Sequence, residues 1–268
     1  MIDDDSKYFY AINAPSSGME IESYERVNSC EFTTVQSLDD FDVRELRYGT
    51  AAMLGPDQGY FYVSADDGLV TLSRDASNGQ LEFISMAPTS DREDGYSFRW
   101  DDSSLLASGT GNHIFVMGEQ APYFAAYDIE TDPQNPKLVS SIVEFHVDNR
   151  EFDYYDFQTK ENLPLSAFDC ATLVSPSGSE TTHVLCNDAM FSVALENGEL
   201  DIQDMLLVDE DDRFGSELEN MAIKRVGLTQ AVTNREDSRM YVVVHDFFNY
   251  KDFILVFERA AHISSDPY

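Results

Sequence analysis

An all-β fold is predicted for this 268-residue chain by three observations. Short runs rich in Val, Ile, Tyr and Phe show apolar–polar alternation, clusters of Gly, Pro, Asn and Asp separate them, and stretches with a 3.6-residue apolar period are scarce. The runs also repeat as a set. "YFYAINA" at Tyr8 returns as "YFYVSAD" at Tyr60, "HIFVMGE" at His113, "HVLCND" at His183 and "MYVVVHD" at Met240, at spacings of 52, 53, 70 and 57 residues.

Each element of the repeat has its own signature. Ahead of the central run stands a small-residue strand closed by a turn, as in "AAMLGPDQG" and "ATLVSPSG", with "LLASGTG" and "QAVTNREDS" as looser versions. After the central run comes a third strand: "MEIESYER", "LVTLSRD", "YFAAYDI", "MFSVALE" and "FILVFER". A fourth follows in "EFTTVQSL", "QLEFIS", "KLVSSIV" and "ELDIQDML". In "SRDASNGQLEFIS", Asn78 and Gly79 are expected to supply the left-handed turn residues of a third-to-fourth strand hairpin, with Leu81 and Phe83 on one face. Four antiparallel strands in about 50 residues make the blade of a β-propeller. A β-sandwich also has evenly spaced short strands, but it does not require the four-strand pattern to recur. The chain therefore reads as a single propeller domain or segment with five visible blades, near 7–40, 48–88, 104–143, 168–208 and 228–265, within a ring of five to seven. It starts at what reads as a second strand and ends after a third. The first and last blades are expected to be incomplete, because the chain is a segment or because its ends pair irregularly.

Composition excludes several roles. Seventeen Lys and Arg stand against 50 Asp and Glu, for a formal charge of −33. Such a surface repels phosphate backbones and anionic bilayers, so no nucleic-acid partner and no membrane insertion is expected. Salt would screen its self-repulsion, which fits a marine, halophilic or extracellular protein. The start, MIDDDSKYFY, has no basic and apolar leader pattern, and neighbouring domains of a longer chain are compatible with the sequence.

"GPDQGYFYVSADDGLVTLSRDASNGQLEFIS", Gly55 to Ser85, resembles the repeat of lactonase-like propellers, the group of 6-phosphogluconolactonase and carboxymuconate lactonizing enzymes, whose blades follow "SPDGxxVYVxxxxxxxLxVFxRDxxTGxLxxV". The match is good over this blade, fair over Tyr8 to Leu38 and weaker elsewhere. The resemblance implies a propeller fold and, as an activity, hydrolysis or isomerisation of a small lactone in the central channel. It assigns no catalytic residue here. Arg26, Arg74 and Arg259 all fall at one repeat position, whereas Arg99, Arg150, Arg213 and Arg225 belong to no motif with a carboxylate or histidine. His113 and His183 begin equivalent strands, which favours structural roles, and the His245–Asp246 pair has no partner nucleophile. GxSxG, HExxH, P-loop and GxGxxG motifs are absent.

Two insertions are the expected functional loops. Val143 to Leu165 mixes acidic residues with Phe145, His146, Phe152, Tyr154, Tyr155 and Phe157, which are candidate contacts for a protein or glycan partner. The alternative is a lengthened outer hairpin. Leu206 to Gly227 carries Asp209, Asp211 and Asp212, a candidate structural Ca²⁺ site, although Phe214 and Asn220 stand where an EF-hand needs Gly and Glu. Solvated charge is the competing reading, and no other cofactor is indicated. "DIETDPQNPKLV" from Asp128 fails the same test at Pro133 and Val139. Cys170 and Cys186 lie symmetrically about the Ser-Pro-Ser-Gly turn and could face each other across a hairpin, as a disulfide or as two buried thiols. The function expected is a non-catalytic scaffold or recognition module of an acidic extracellular or surface protein, with a lactonase-like enzyme as the alternative.

Overall fold

In a computed structural model the chain is described over residues 1–3, 6–13, 19–40, 42–47, 49–65, 68–88, 104–118, 123–142, 170–186, 189–207, 226–233, 239–246 and 251–258. These residues form five antiparallel sheets in chain order. The first holds β1 (Tyr8–Asn13), β2 (Glu20–Asn28) and β3 (Glu31–Leu38). A 3-10 helix at Arg44–Leu46 leads to the second, β4 (Ala51–Leu54), β5 (Tyr60–Ala65), β6 (Gly68–Arg74) and β7 (Leu81–Pro88). The third contains β8 (Ser104–Ala107), β9 (His113–Gly118), β10 (Tyr123–Asp128) and β11 (Lys137–Ile142). The fourth contains β12 (Cys170–Val174), β13 (Thr181–Cys186), β14 (Ala189–Glu196) and β15 (Glu199–Leu207), and the last β16 (Val226–Thr233), β17 (Arg239–Asp246) and β18 (Lys251–Glu258). Each strand pairs with its sequence neighbour, so every sheet is a simple meander. Among the described residues no helix is long and apolar enough to cross a membrane.

The strands adjoin one another across sheets in the same order: β4 meets β8, β8 meets β12, and β12 meets β16. Side-chain alternation explains this stacking. In β5, Phe61 and Val63 join a core with Tyr8, Tyr10 and Ile21 of the first sheet and Met19 just before β2, while Tyr62 joins Ile114, Val116 and Tyr127 of the third. In β9 the alternate residues Phe115 and Met117 pack on Leu173, Val184, Phe191 and Val193 of the fourth. Successive residues of a strand point to opposite faces, so a strand apolar at every position is buried by a neighbour on each side. Phe61, Tyr62, Val63, Ile114 and Phe115 all have 0% exposure, which makes the central strands the interior of the protein. These are the blades of a β-propeller.

The N-terminal residues refine the expected incomplete first blade. Met1–Asp3 runs antiparallel to β1, with Ile2 bridged to Phe9, Tyr10 N–H donating to Met1 O at 2.8 Å and Asp3 N–H to Tyr8 O at 3.1 Å. A three-residue stub thus lies along the β1 edge, where the other blades have their first strand. Three residues are too few for a periodic signal in the sequence.

One turn differs from expectation. Gly79 has φ of 74°, but Asn78 is not among the residues with positive φ. Asn78 acts instead through its side chain, whose Oδ1 accepts Gln80 N–H at 2.9 Å, while Asp75 Oδ1 accepts Ser77 N–H at 2.8 Å. These side-chain acceptors close the longer loop without a second left-handed residue. The two-residue geometry occurs in the fourth sheet, where Asn197 and Gly198 have φ of 53° and 82° between the paired Glu196 and Glu199. Leu81 and Phe83 do share a face, in the core between the first two sheets.

Candidate functional site

The turns between first and second strands and those between third and fourth strands lie at one end of the meanders, and several polar contacts there tie neighbouring blades together. The first tie centres on Arg74, at the end of β6. Its Nη2 pairs with Asp3 Oδ2, its Nε donates to Tyr10 Oη at 2.8 Å, and its Nη1 donates to Gln58 O at 3.0 Å. Asp3 Oδ1 accepts the backbone N–H groups of Lys7 and Tyr8 at 2.8 and 3.0 Å. Side-chain exposure is 6% for Arg74 and 4% for Asp3. Burial raises the Tyr10 pKa, so its hydroxyl stays protonated, accepting from Arg74 and donating to Gly79 O at 3.2 Å. The guanidinium therefore spends all three nitrogens inside the fold and holds the N-terminal stub against the second blade.

The second tie joins the third and fourth blades. His113, the first residue of β9, places Nδ1 2.9 Å from Glu180 Oε2, and the other carboxylate oxygen accepts the Thr110 hydroxyl. The two backbones touch beside this pair: Gly178 N–H donates to Gly109 O at 2.7 Å. A Cβ on Gly109 would stand 1.6 Å from Pro176 O, so only glycine permits this approach. His113 and Glu180 remain partly exposed, at 18% and 28%. An imidazole held at Nδ1 by a carboxylate has a fixed tautomer and orientation, the arrangement general acid–base chemistry uses. His183 is also engaged, with Nδ1 2.9 Å from Ser192 Oγ on the paired strand.

Between the second and third blades the polar contacts among the described residues join uncharged groups. Tyr62 Oη donates to Pro133 O at 3.0 Å, Gln134 Nε2 to Tyr60 Oη at 2.9 Å and Ser85 Oγ to Gln134 O at 2.5 Å. Within that turn, Asp128 accepts Glu130 N–H at 2.9 Å and the Thr131 hydroxyl at 2.7 Å. Asp132 accepts Gln134 N–H at 3.1 Å and Asn135 Nδ2 at 3.0 Å, and the Asn135 bond foremost lowers its pKa. These carboxylates accept hydrogen bonds from their own loop. Among the described residues no group of three or more His, Cys, Asp and Glu is gathered for a metal.

The sequence-derived candidates fall differently. Phe145, His146, Phe152, Tyr154, Tyr155 and Phe157, and Asp209, Asp211 and Asp212, lie outside the described residues, as do Arg99, Arg150, Arg213, Arg225 and Arg259. Arg26 is exposed and donates from Nε to Asn28 O at 3.2 Å. Cys170 and Cys186 are register partners on β12 and β13. The Asp3–Arg74 and His113–Glu180 pairs were not foreseen. Their members lie 71 and 67 residues apart, and only the repeated position of Arg74 hinted at a shared structural duty.

No protein-family model and no curated protein matches the chain. Solved structures do. A candidate 6-phosphogluconolactonase from Bacteroides fragilis matches with a TM-score of 0.58 at 10% identity, over 97% of this chain and 66% of its own. The periplasmic gluconolactonase of Pseudomonas aeruginosa matches at 0.51 and 12% identity, over 96% and 69%. The β-propeller domain of Cps50 (Swd1) from Myceliophteria thermophila matches at 0.55 and 8% identity, over 97% and 71%. The chain thus spans about two thirds of the length of these proteins. With its stacked meanders and doubly buried central strands, it has the fold of a β-propeller, similar in structure to propellers of the lactonase-like group.

Proposed function

We propose that the chain is a non-catalytic propeller module that binds a protein or glycan partner through the loops joining its blades, within an acidic extracellular or surface protein. The observation that carries this reading is the commitment of Arg74. A lactonase acting on an anionic lactone needs cations to hold the substrate and the developing oxyanion. Here the arginine of the best-matching repeat is buried and bonded to Asp3, Tyr10 and Gln58. A formal charge of −33 further disfavours an anionic substrate and favours partners with basic or neutral contact surfaces.

The second reading, a lactonase-like hydrolase, draws on one feature, the oriented imidazole of His113 beside Glu180. Both readings are separated by measuring hydrolysis of 6-phosphogluconolactone and of gluconolactone alongside binding to a glycan array and a panel of basic proteins. The expected result is lactone decay at the spontaneous rate, with a ligand whose affinity falls about tenfold when Tyr154 and Tyr155 are replaced together by alanine. Saturable lactone turnover that disappears in His113→Ala, with no ligand retained, would overturn the proposal in favour of the enzyme.

A further inference from the structure

We propose that Cys170 and Cys186 form a reversible disulfide that staples the first strand of the fourth blade to its second, a redox-modification site independent of the binding reading above. Three placements carry the inference. The two residues are direct partners in the antiparallel β12–β13 ladder. Directly paired residues of such ladders have Cα atoms about 4.5 or 5.5 Å apart, depending on the type of pair, and disulfides span about 4.4 to 6.8 Å, so either type of rung accepts the bond.

The rung is also the terminal one of its ladder. Cys170 opens β12 and Cys186 closes β13. A register shift follows between Cys170 and Thr172, so a bulge separates this rung from the next pair, Thr172 with Leu185. A terminal rung beyond a bulge can adjust its spacing without disturbing the rest of the ladder. The third placement is that of β12 itself, which adjoins both β8 and β16, the first strands of the flanking blades. A bond at the start of β12 fixes the strand on which both neighbours lean, and it closes a loop of about 15 residues, long enough for a substantial loss of unfolded-state entropy. Cys30 supplies an internal control. It is a free, exposed cysteine in the β2–β3 turn of the first blade.

The chemistry is thiol–disulfide exchange with a low-molecular-weight disulfide as oxidant. One cysteine thiolate attacks the oxidant, releasing one thiol and forming a mixed disulfide, and the second cysteine then displaces the remaining thiol. The two cysteines together lose two protons and two electrons, and the oxidant's sulfur–sulfur bond is reduced to two thiols.

The test uses the full chain carrying Cys30→Ser, equilibrated in oxidised and reduced glutathione mixtures, quenched with an alkylating agent, and read by intact mass, peptide mapping and thermal melting. The expected oxidised species is monomeric, about 2 Da lighter than the reduced one, refractory to alkylation, and yields one peptide linking Cys170 to Cys186. Its Tm is expected to fall by about 5 °C or more on reduction. Cys170→Ser and Cys186→Ser, each in the Cys30→Ser background, are expected to remove that difference and leave one thiol open to alkylation. Two alkylated cysteines in excess oxidised glutathione, glutathione adducts alone, or linkage only between two chains would each overturn the proposal.

Discussion

Replacing Gly109 with alanine is expected to lower stability by about 3 kcal/mol, a fall in Tm of about 6 to 12 °C. The added methyl would sit 1.6 Å from Pro176 O and 2.9 Å from Ser179 N. Both atoms belong to backbone and cannot rotate away, so the third and fourth blades must separate at this turn and loosen the Gly178–Gly109 hydrogen bond. Gly178→Ala is the matched control in the facing turn. Gly178 has φ of 70° but nothing within 4 Å of a built Cβ, so its substitution carries only the left-handed backbone penalty of about 1 to 2 kcal/mol. Denaturant or thermal melts of both variants compare a steric cost with a conformational one. Equal losses would refute the steric account.

Arg74→Met is expected to destabilise the fold by about 3 to 5 kcal/mol, because it leaves the buried Asp3 carboxylate without its cation. Asp3→Asn is expected to destabilise as well, although it lowers the net negative charge. This pair of outcomes separates two effects. If diffuse repulsion among the 50 acidic residues governed stability, removing an acidic charge would raise the Tm. If the buried pair governs, it falls. The Asp3→Asn/Arg74→Met double variant should lose less than the sum of the single losses, since each single change already breaks the same bond. A Tm for Asp3→Asn at or above that of the parent would contradict the assignment.

The strands were legible in the sequence because two-residue alternation, small-residue turns and recurrence all pointed to one unit. The starts of β1, β5 and β9 fall at the expected Tyr8, Tyr60 and His113. What stayed hidden depends on contacts distant in sequence. Nothing in "MIDDD" marks Asp3 as the partner of an arginine on another blade, and nothing in "GSETTH" marks Glu180 as the partner of His113. Asn78 shows a subtler limit, since Asn-Gly in a loop of two residues and in a longer one look alike, yet demand different backbones. Cys170 does stand opposite Cys186, but symmetry about the turn is not the whole reason: the pairs from Thr172–Leu185 to Val174–His183 run one residue out of that symmetry, and the register shift between Cys170 and Thr172 restores it at the cysteines.

The alternating burial of β5 and β9 has a consequence for how the protein comes apart. A sheet whose two faces are both covered gains its stability from two interfaces, whereas a sheet with exposed apolar residues gains it from less. Phe61, Tyr62, Ile114 and Phe115 are fully shielded, but Val27 and Phe32 in the first sheet and Val232, Ile254 and Val256 in the last are at least half exposed. Coupling between adjacent units then behaves as a one-dimensional chain of nearest-neighbour terms. Local opening should begin in the flanking sheets and reach the second and third last, so amide hydrogen exchange should be slowest in β5 and β9 and progressively faster toward β3 and β18.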